Sequence, residues 1–506
     1  MSSPRVSAAV TALSLALASA QASAQLTSSL SSFRRARQVL DQAIVAHGGL
    51  ERLRGIDVLT VRHEGQFFNR NQSRRVAPPY DATPANGMLV YDRRGGRLAF
   101  ETETGFPGGF RNQSRIVLLG REGWNLNLRE HRWVTAPDPV AANQRGVLRR
   151  FPHYLLLSAL DRGNQLRSLG RATWHGRSQD VITYAADDGV QLTLYIDAAT
   201  HLVSKLDQVY TDPLTGDALG EFVFPGYREL NGVQMPTGRR IVRVGELIED
   251  AKYTDVTVNG AIPEQLFTKP ADFADGNGAP PADTTVATLG DGVYLLGGVG
   301  GSNSVFVDFA DYVLVIEPYG NDAASKRSIA KIKATVAGKP IRYIVPTHHH
   351  DDHTGGLRTY VAEGATVVTT PGNREYVERM ARATYTLLPD AQATRQAPSR
   401  VEVIEGKKRV FTDGTRTVEI IDIGPSPHAA EMLVAYFPKE QIVVQGDLLN
   451  LPTDGRVPAG TETTAYFAEW LARSGLAVSR IVGVHGPPAT PAQLTEAVTK
   501  LRGERP

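Results

Sequence analysis

The sequence predicts an α/β protein in two unlike parts: a mainly antiparallel β half opening with a helix, then an α/β layered half. Three observations predict it. The first part is built of short alternating runs separated by Gly, Asn and Asp turns. In the second, apolar strand-like runs alternate with helical stretches. Between them lies "FADGNGAPPADTT" (273–285), the densest breaker stretch in the chain. The division expected is 1–24, 25–270, a linker at 271–285, and 286–506. A length of 506 residues suits more than one domain, and 42% hydrophobic content supplies ample core.

Residues 1–24 form the first element. Arg5 precedes the apolar run "SAAVTALSLALASA", and "ASA" follows at Ala22–Ala24, the layout of a secretory signal with an A-x-A cleavage site. The run is too short for a permanent membrane span, and no later run reaches ~18 uninterrupted apolar residues. No cysteine is present, so there is no disulfide, thiolate ligand or lipid-accepting thiol. A periplasmic or secreted protein without a transmembrane segment is expected. A net charge of +2, without basic runs interleaved with aromatics, provides no reason to expect a nucleic-acid partner. Oligomeric state is not readable.

The mature first half opens with "FRRARQVLDQAIVAHGG", an amphipathic helix stopped at Gly48–Gly49. Runs such as "DVLTVRHEGQF" and "GMLVYDRRGGRLAF" follow, with turns at Asp188–Gly189 and Asn231–Gly232, and predict an antiparallel sheet curved around that helix. Its histidines (His47, His63, His131, His153, His175, His201) are scattered and read as surface or core residues. The stretch "VQLTLYIDAATHLVSKLD…GEFVFPGYRELNGVQMPTG" resembles the periplasmic lipoprotein-carrier family, over about 200 residues. That resemblance implies a half-barrel. Lipid binding does not follow from fold, and the half can equally serve to pack on its neighbour or shape its entrance.

In the second half the strand-like runs are "SVFVDFADYVLVIEP", "IRYIVPT", "ATVVTTP", "TVEIIDIG", "QIVVQGDLL" and "RIVGVHG". After "IRYIV" comes "PTHHHDDHTGG" (346–356), with four histidines and two aspartates in six positions. In extended chain His348 and His350 point to one face and can reach one ion, while His349 and Asp351 point away. Asp352 and His353 follow as the chain turns, with Gly355 and Gly356 expected to permit the tight backbone. Further ligands are expected from other strand ends, where His428, Asp447 and His485 each follow an apolar run. All six histidines of this half, out of 12 in the chain, fall in the cluster or at these ends.

With these residues in place, "HHHDDH" (348–353) resembles the H-x-H-x-D-H signature of the metallo-β-lactamase superfamily, and His428, Asp447 and His485 follow in its order. The resemblance covers about 220 residues. It implies an αββα sandwich with two metal ions, usually zinc, though iron and manganese serve some members. It further implies one ion on His348, His350 and His428, a second on Asp352, His353 and His485, and Asp447 bridging both. The expected activity is then that of an exported dinuclear zinc hydrolase. A metal-bridging hydroxide would cleave an ester, lactone, thioester or amide of a small molecule, with Asp352 orienting it and protonating the leaving group.

Lack of cysteine excludes the β-lactamases that use a cysteine ligand, and only about 38 residues separate Asp447 from His485, too few for the extra nuclease domain. A bridging aspartate points to the thioesterase and lactonase branch. Two alternatives remain: a cysteine-free dinuclear β-lactamase, and a periplasmic acyl- or lipid-binding carrier with a structural metal site. Specificity loops are expected after Asn303, over Ala383–Arg400 and over Leu448–Thr463. "ATYTLLPDAQATRQAPSR", with Tyr385 and two leucines, reads equally as an apolar substrate wall or as a helix docking on the first half.

Overall fold

A computed structural model describes residues 28–136, 140–141, 144–277, 284–299, 301–453 and 455–503. The expected export segment lies outside them.

The helix over 28–46 repeats small and apolar residues on one stripe. Ala36, Val39, Leu40, Ala43 and Ile44 are all buried against a 14-stranded sheet. The helix ends where Gly48 and Gly49 adopt φ of 121° and 90°, a region that glycine enters without strain. Antiparallel strands make up the sheet body: Val58–Phe68 at its middle pairs with Ala82–Asp92 and with Glu246–Val258. The helix Pro152–Asp161 adds Leu155, Leu156 and Ala159 to the same core, so the chain's own helices cover this face. The other face is partly covered by Leu266 and Phe267. Ala274–Asp275, within the breaker stretch, forms a short parallel edge strand beside Arg132–Ala136.

Two further sheets follow. Seven strands run in order from Thr285–Gly290 to Arg400–Val403, and five from Lys408–Thr412 to Arg480–Gly483. They stack face to face. Val305, Val307, Leu314, Ile316 and Val345 of the first meet Val418, Ile420, Leu433, Val444 and Val482 of the second. Helices Asp322–Thr335, Leu357–Ala362 and Arg374–Arg382 cover the outer face of the first. Glu462–Ser474 and Pro491–Gly503 cover the second. The result is an αββα sandwich. Sheets covered on both faces need unbroken apolar strands, and Val313–Ile316 and Ile442–Gln445 are buried at every position. No helix among the described residues is long and apolar enough to cross a membrane.

The two halves interlock. Leu214, on a hairpin of the first half, is 2% exposed within the core of the second. Tyr385 donates its hydroxyl to the carbonyls of Asp212 and Pro213 at 3.1 and 2.8 Å, and Gly216 bridges Thr384. Of the two readings of "ATYTLLPDAQATRQAPSR", its first part therefore docks, but as a non-helical segment rather than the expected helix, which forms only over Ala391–Arg395, and Leu387 and Leu388 stay exposed. The expected loop after Asn303 is instead the core strand Ser302–Asp308, in which Asn303 donates to the carbonyls of Gly483 and Gly486.

Candidate metal centre

The strand Ile341–Val345 ends two residues before Thr347, and His348 to His350 follow without regular structure. Asp352 and His353 sit on the short helix Asp351–Thr354. The glycines beyond are not there for an unusual backbone, since Gly355 has φ −61° and Gly356 φ −92°. They permit close approach: a Cβ on Gly355 would lie 2.0 Å from the Gly320 carbonyl, and one on Gly356 1.9 Å from Ser325 Oγ. His428 occupies a turn closed by Ser426 Oγ, which accepts from the His428 and Ala429 amides at 3.2 and 3.0 Å. Asp447 follows the strand Ile442–Gln445, and Gln445 Oε1 accepts from the next amide, Leu448, at 2.7 Å. His485 follows Arg480–Gly483 and is anchored through Ser302 Oγ, 3.0 Å from its Nδ1.

These ends bring all seven sequence-predicted residues together. His348, His350, His428 and Asp447 form one group, and Asp352, His353, Asp447 and His485 another, the candidate ligand atoms of each lying within 4.8 Å of one another. Asp447 is common to both. Its Oδ2 lies 3.1 Å from His428 Nε2 and 3.1 Å from His353 Nε2, and its Oδ1 3.1 Å from His485 Nε2. His349 belongs to neither group; its buried ring stands edge-on to Tyr376 at 5.6 Å.

The electrostatics follow from burial. Desolvation, reinforced by neighbouring imidazoles, holds His348 and His350 well below the usual histidine range. Burial alone would also lower His485, but hydrogen bonds with Asp352 and Asp447 bring it up to about 9. Asp447 is held well below the carboxylate range: its burial opposes ionisation, and the surrounding histidines outweigh it.

The arrangement fits divalent cations on its own evidence. His350 Nδ1 is buried without a hydrogen-bond partner, and His348 Nε2 faces His428 Nε2 at 3.1 Å. Two lone pairs that close need a proton or a cation between them. An imidazole and carboxylate donor set without thiolate suits zinc and several first-row neighbours.

A surrounding layer was not foreseen from sequence. Glu317, fully buried and at φ 76°, accepts from Thr347 Oγ1 at 2.7 Å and stands 3.3 Å from His353 Nδ1. Its only sequence signal is an acid closing the run "VLVIEP". Tyr319 sets its ring edge-on to His353 and His485 at 5.7 and 5.2 Å. Gln72 and Ser73, from the first half, also touch the centre. Nothing in their neighbourhood of the sequence marks them.

Residues 297–485 match the family described as "Metallo-beta-lactamase superfamily". Among solved structures, the chain is similar to a metallo-beta-lactamase from Pontibacter korlensis at 20% identity, over 44% of this chain and 99% of that one, with TM-score 0.33. It is similar to a metallo beta lactamase from Hirschia baltica at 22% identity, over 43% and 97%, with TM-score 0.33. The metallo-beta-lactamase FIM-1 from Pseudomonas aeruginosa, in its mono-zinc form, is 21% identical over 44% and 97%, with TM-score 0.32.

Proposed function

Because residues 297–485 form a domain of the metallo-beta-lactamase superfamily, whose members are metal-dependent hydrolases of small molecules, we propose an exported dinuclear zinc hydrolase. Its substrate would be an ester, lactone, thioester or amide. The observation that carries the reading is Asp447, one carboxylate shared by two complete ligand groups.

A bound pair of divalent cations would supply Lewis acidity and lower the pKa of water towards neutrality. The remaining roles fall to the chain. His348, His350 and His428 would hold one ion, Asp352, His353 and His485 the other, and Asp447 both. Burial keeps His348 and His350 neutral and ready to donate their lone pairs. Asp352, with a side chain 35% exposed, sits on the solvent side, where it can orient a nucleophile and pass a proton to the leaving group. Tyr319 walls the second group.

The carrier alternative is disfavoured twice. A structural zinc site is normally closed, yet the side chains of His485 and Asp352 are 27% and 35% exposed. The sheet face that could hold an acyl chain is packed by the chain's own helices. The β-lactamase alternative rests on the same residues and separates by substrate. The test is elemental analysis with a panel of lactone, thioester, ester and β-lactam substrates. Two ions per chain with ester or lactone turnover supports the reading, while nitrocefin turnover alone favours the alternative. Export is tested by N-terminal sequencing: a start near Gln25 is expected, and an intact Met1 contradicts it.

A further inference from the structure

Four consecutive residues of the first half, 71–74, each contact the metal centre or its frame. Gln72 Nε2 donates to Asp352 Oδ1 at 2.9 Å and to Asp351 Oδ1 at 2.7 Å. Ser73 offers its carbonyl to His350 Nε2 at 3.0 Å. The Asp351 amide donates to the Asn71 carbonyl at 3.2 Å. The Ala430 amide, two residues beyond His428, donates to the Arg74 carbonyl at 2.7 Å.

The Gln72 contact divides the Asp352 carboxylate. Oδ1 is held by the amide, whereas Oδ2 lies 3.4 Å from His353 Nε2 and 3.7 Å from His485 Nε2. A free aspartate could rotate either oxygen, or neither, into that position. Ser73 acts similarly on His350: with Nε2 donating to its carbonyl, the proton sits there and the buried, partnerless Nδ1 keeps its lone pair.

The segment is itself tied down. Asn69 Nδ2 donates to the Asp81 carbonyl at 3.0 Å and to Thr83 Oγ1 at 2.8 Å. The Asp81 carboxylate accepts from Ser73 Oγ at 2.7 Å and from the Arg74 amide at 2.8 Å. Arg70 pairs with buried Asp212 at 2.7 Å and with Glu246 at 2.5 Å. Gln72 is therefore presented from a fixed frame, which an outer hydrogen bond needs in order to orient a ligand.

We propose that Gln72 is a positioning residue for the second ion, so that the first half completes the metal centre rather than merely flanking it. The proposal rests on the two-ion reading above. Removing a group that orients a metal ligand typically costs 10–100-fold in affinity. Because Gln72 touches Asp352 but none of His348, His350 and His428, the loss should fall on one ion only.

The test is Co²⁺ titration of the full chain, stripped with chelator, for wild type, Gln72→Leu and Gln72→Asn, read by visible absorption. Asn is polar but too short to reach. His485→Ala serves as the one-ion reference. The expected result is an unchanged first equivalent in both variants, resembling His485→Ala, and a second equivalent weakened by about 10-fold or more. Thermal unfolding of the stripped proteins should match wild type, which general disruption would not allow. Wild type binding two ions, with either variant folded and retaining both affinities, overturns the proposal alone. Equal weakening of both ions would assign Gln72 a structural role and also overturn it. A wild type that binds no cation overturns the two-ion reading beneath it.

Discussion

His349 sits among the candidate ligands and belongs to neither group. It lies between His348 and His350, is 2% exposed, and packs on Tyr376, whereas its neighbours converge on Asp447 and His428. His349→Ala should thus keep its metal and lose thermal stability, because it leaves a cavity beside Tyr376. His348→Ala and His350→Ala should lose metal. Elemental analysis alongside unfolding curves separates the cases, and equal metal loss in all three would contradict the assignment. At this scale the sequence was informative, since ligand chemistry is written in residue type and spacing. Glu317 and Ser302 were not legible, because each matters only through the partner that the fold brings to it.

Among elements, strand ends carried the site as the alternation of apolar runs and histidines implied, but connections were harder to read. Gly355 and Gly356 looked like backbone permits and turn out to be points of close contact with Gly320 and Ser325. The segment after Asn303 looked like a loop and is a buried strand, its apolar run "SVFVDF" being the better signal. The Ala383–Arg400 stretch docks partly through Tyr385, opposite the hairpin that buries Leu214. Leu214→Ala removes a side chain that is 2% exposed in a core belonging to the other half, and should destabilise by about 2–5 kcal/mol. Urea unfolding measures it. A change within about 0.5 kcal/mol, the size typical of surface substitutions, would show that this contact does not hold the halves together.

Across the whole molecule, the two halves have different relations to protons. Three histidines of the first half are buried: burial holds His47 and His153 down at about 4, and burial with Arg239 and Arg150 nearby holds His63 at about 2. Each stays neutral when folded, but takes a proton near pH 6.5 when unfolded. Their stabilising contribution is therefore complete above pH 6.5 and falls as pH drops below it, by up to ~1.4 kcal/mol per pH unit for each histidine. Stability of the metal-free chain should decline from pH 6.5 to 5, and His153→Leu should flatten that slope by about one proton's worth. An unchanged slope would contradict the buried, neutral state. His131, His175 and His201 instead occupy positive-φ positions at 53°, 48° and 57°. The scattered distribution pointed to surface or core for all six, but not to which were buried, since a lone histidine carries no period. The reach of the first half into the metal centre was equally hidden, because Gln72 and Asp352 are 280 residues apart.

The central claim is one carboxylate serving two ions, and Asp447 tests it most directly. Wild type and Asp447→Ala would be purified from metal-supplemented expression and compared for metal content and for turnover of the best panel substrate. The account predicts two ions per chain in wild type. In the variant it predicts at most one ion, since both groups lose a ligand and the facing cations lose the anion between them. Turnover should fall with the lost ion. Two ions retained by Asp447→Ala with near-normal turnover would contradict the shared-ligand centre.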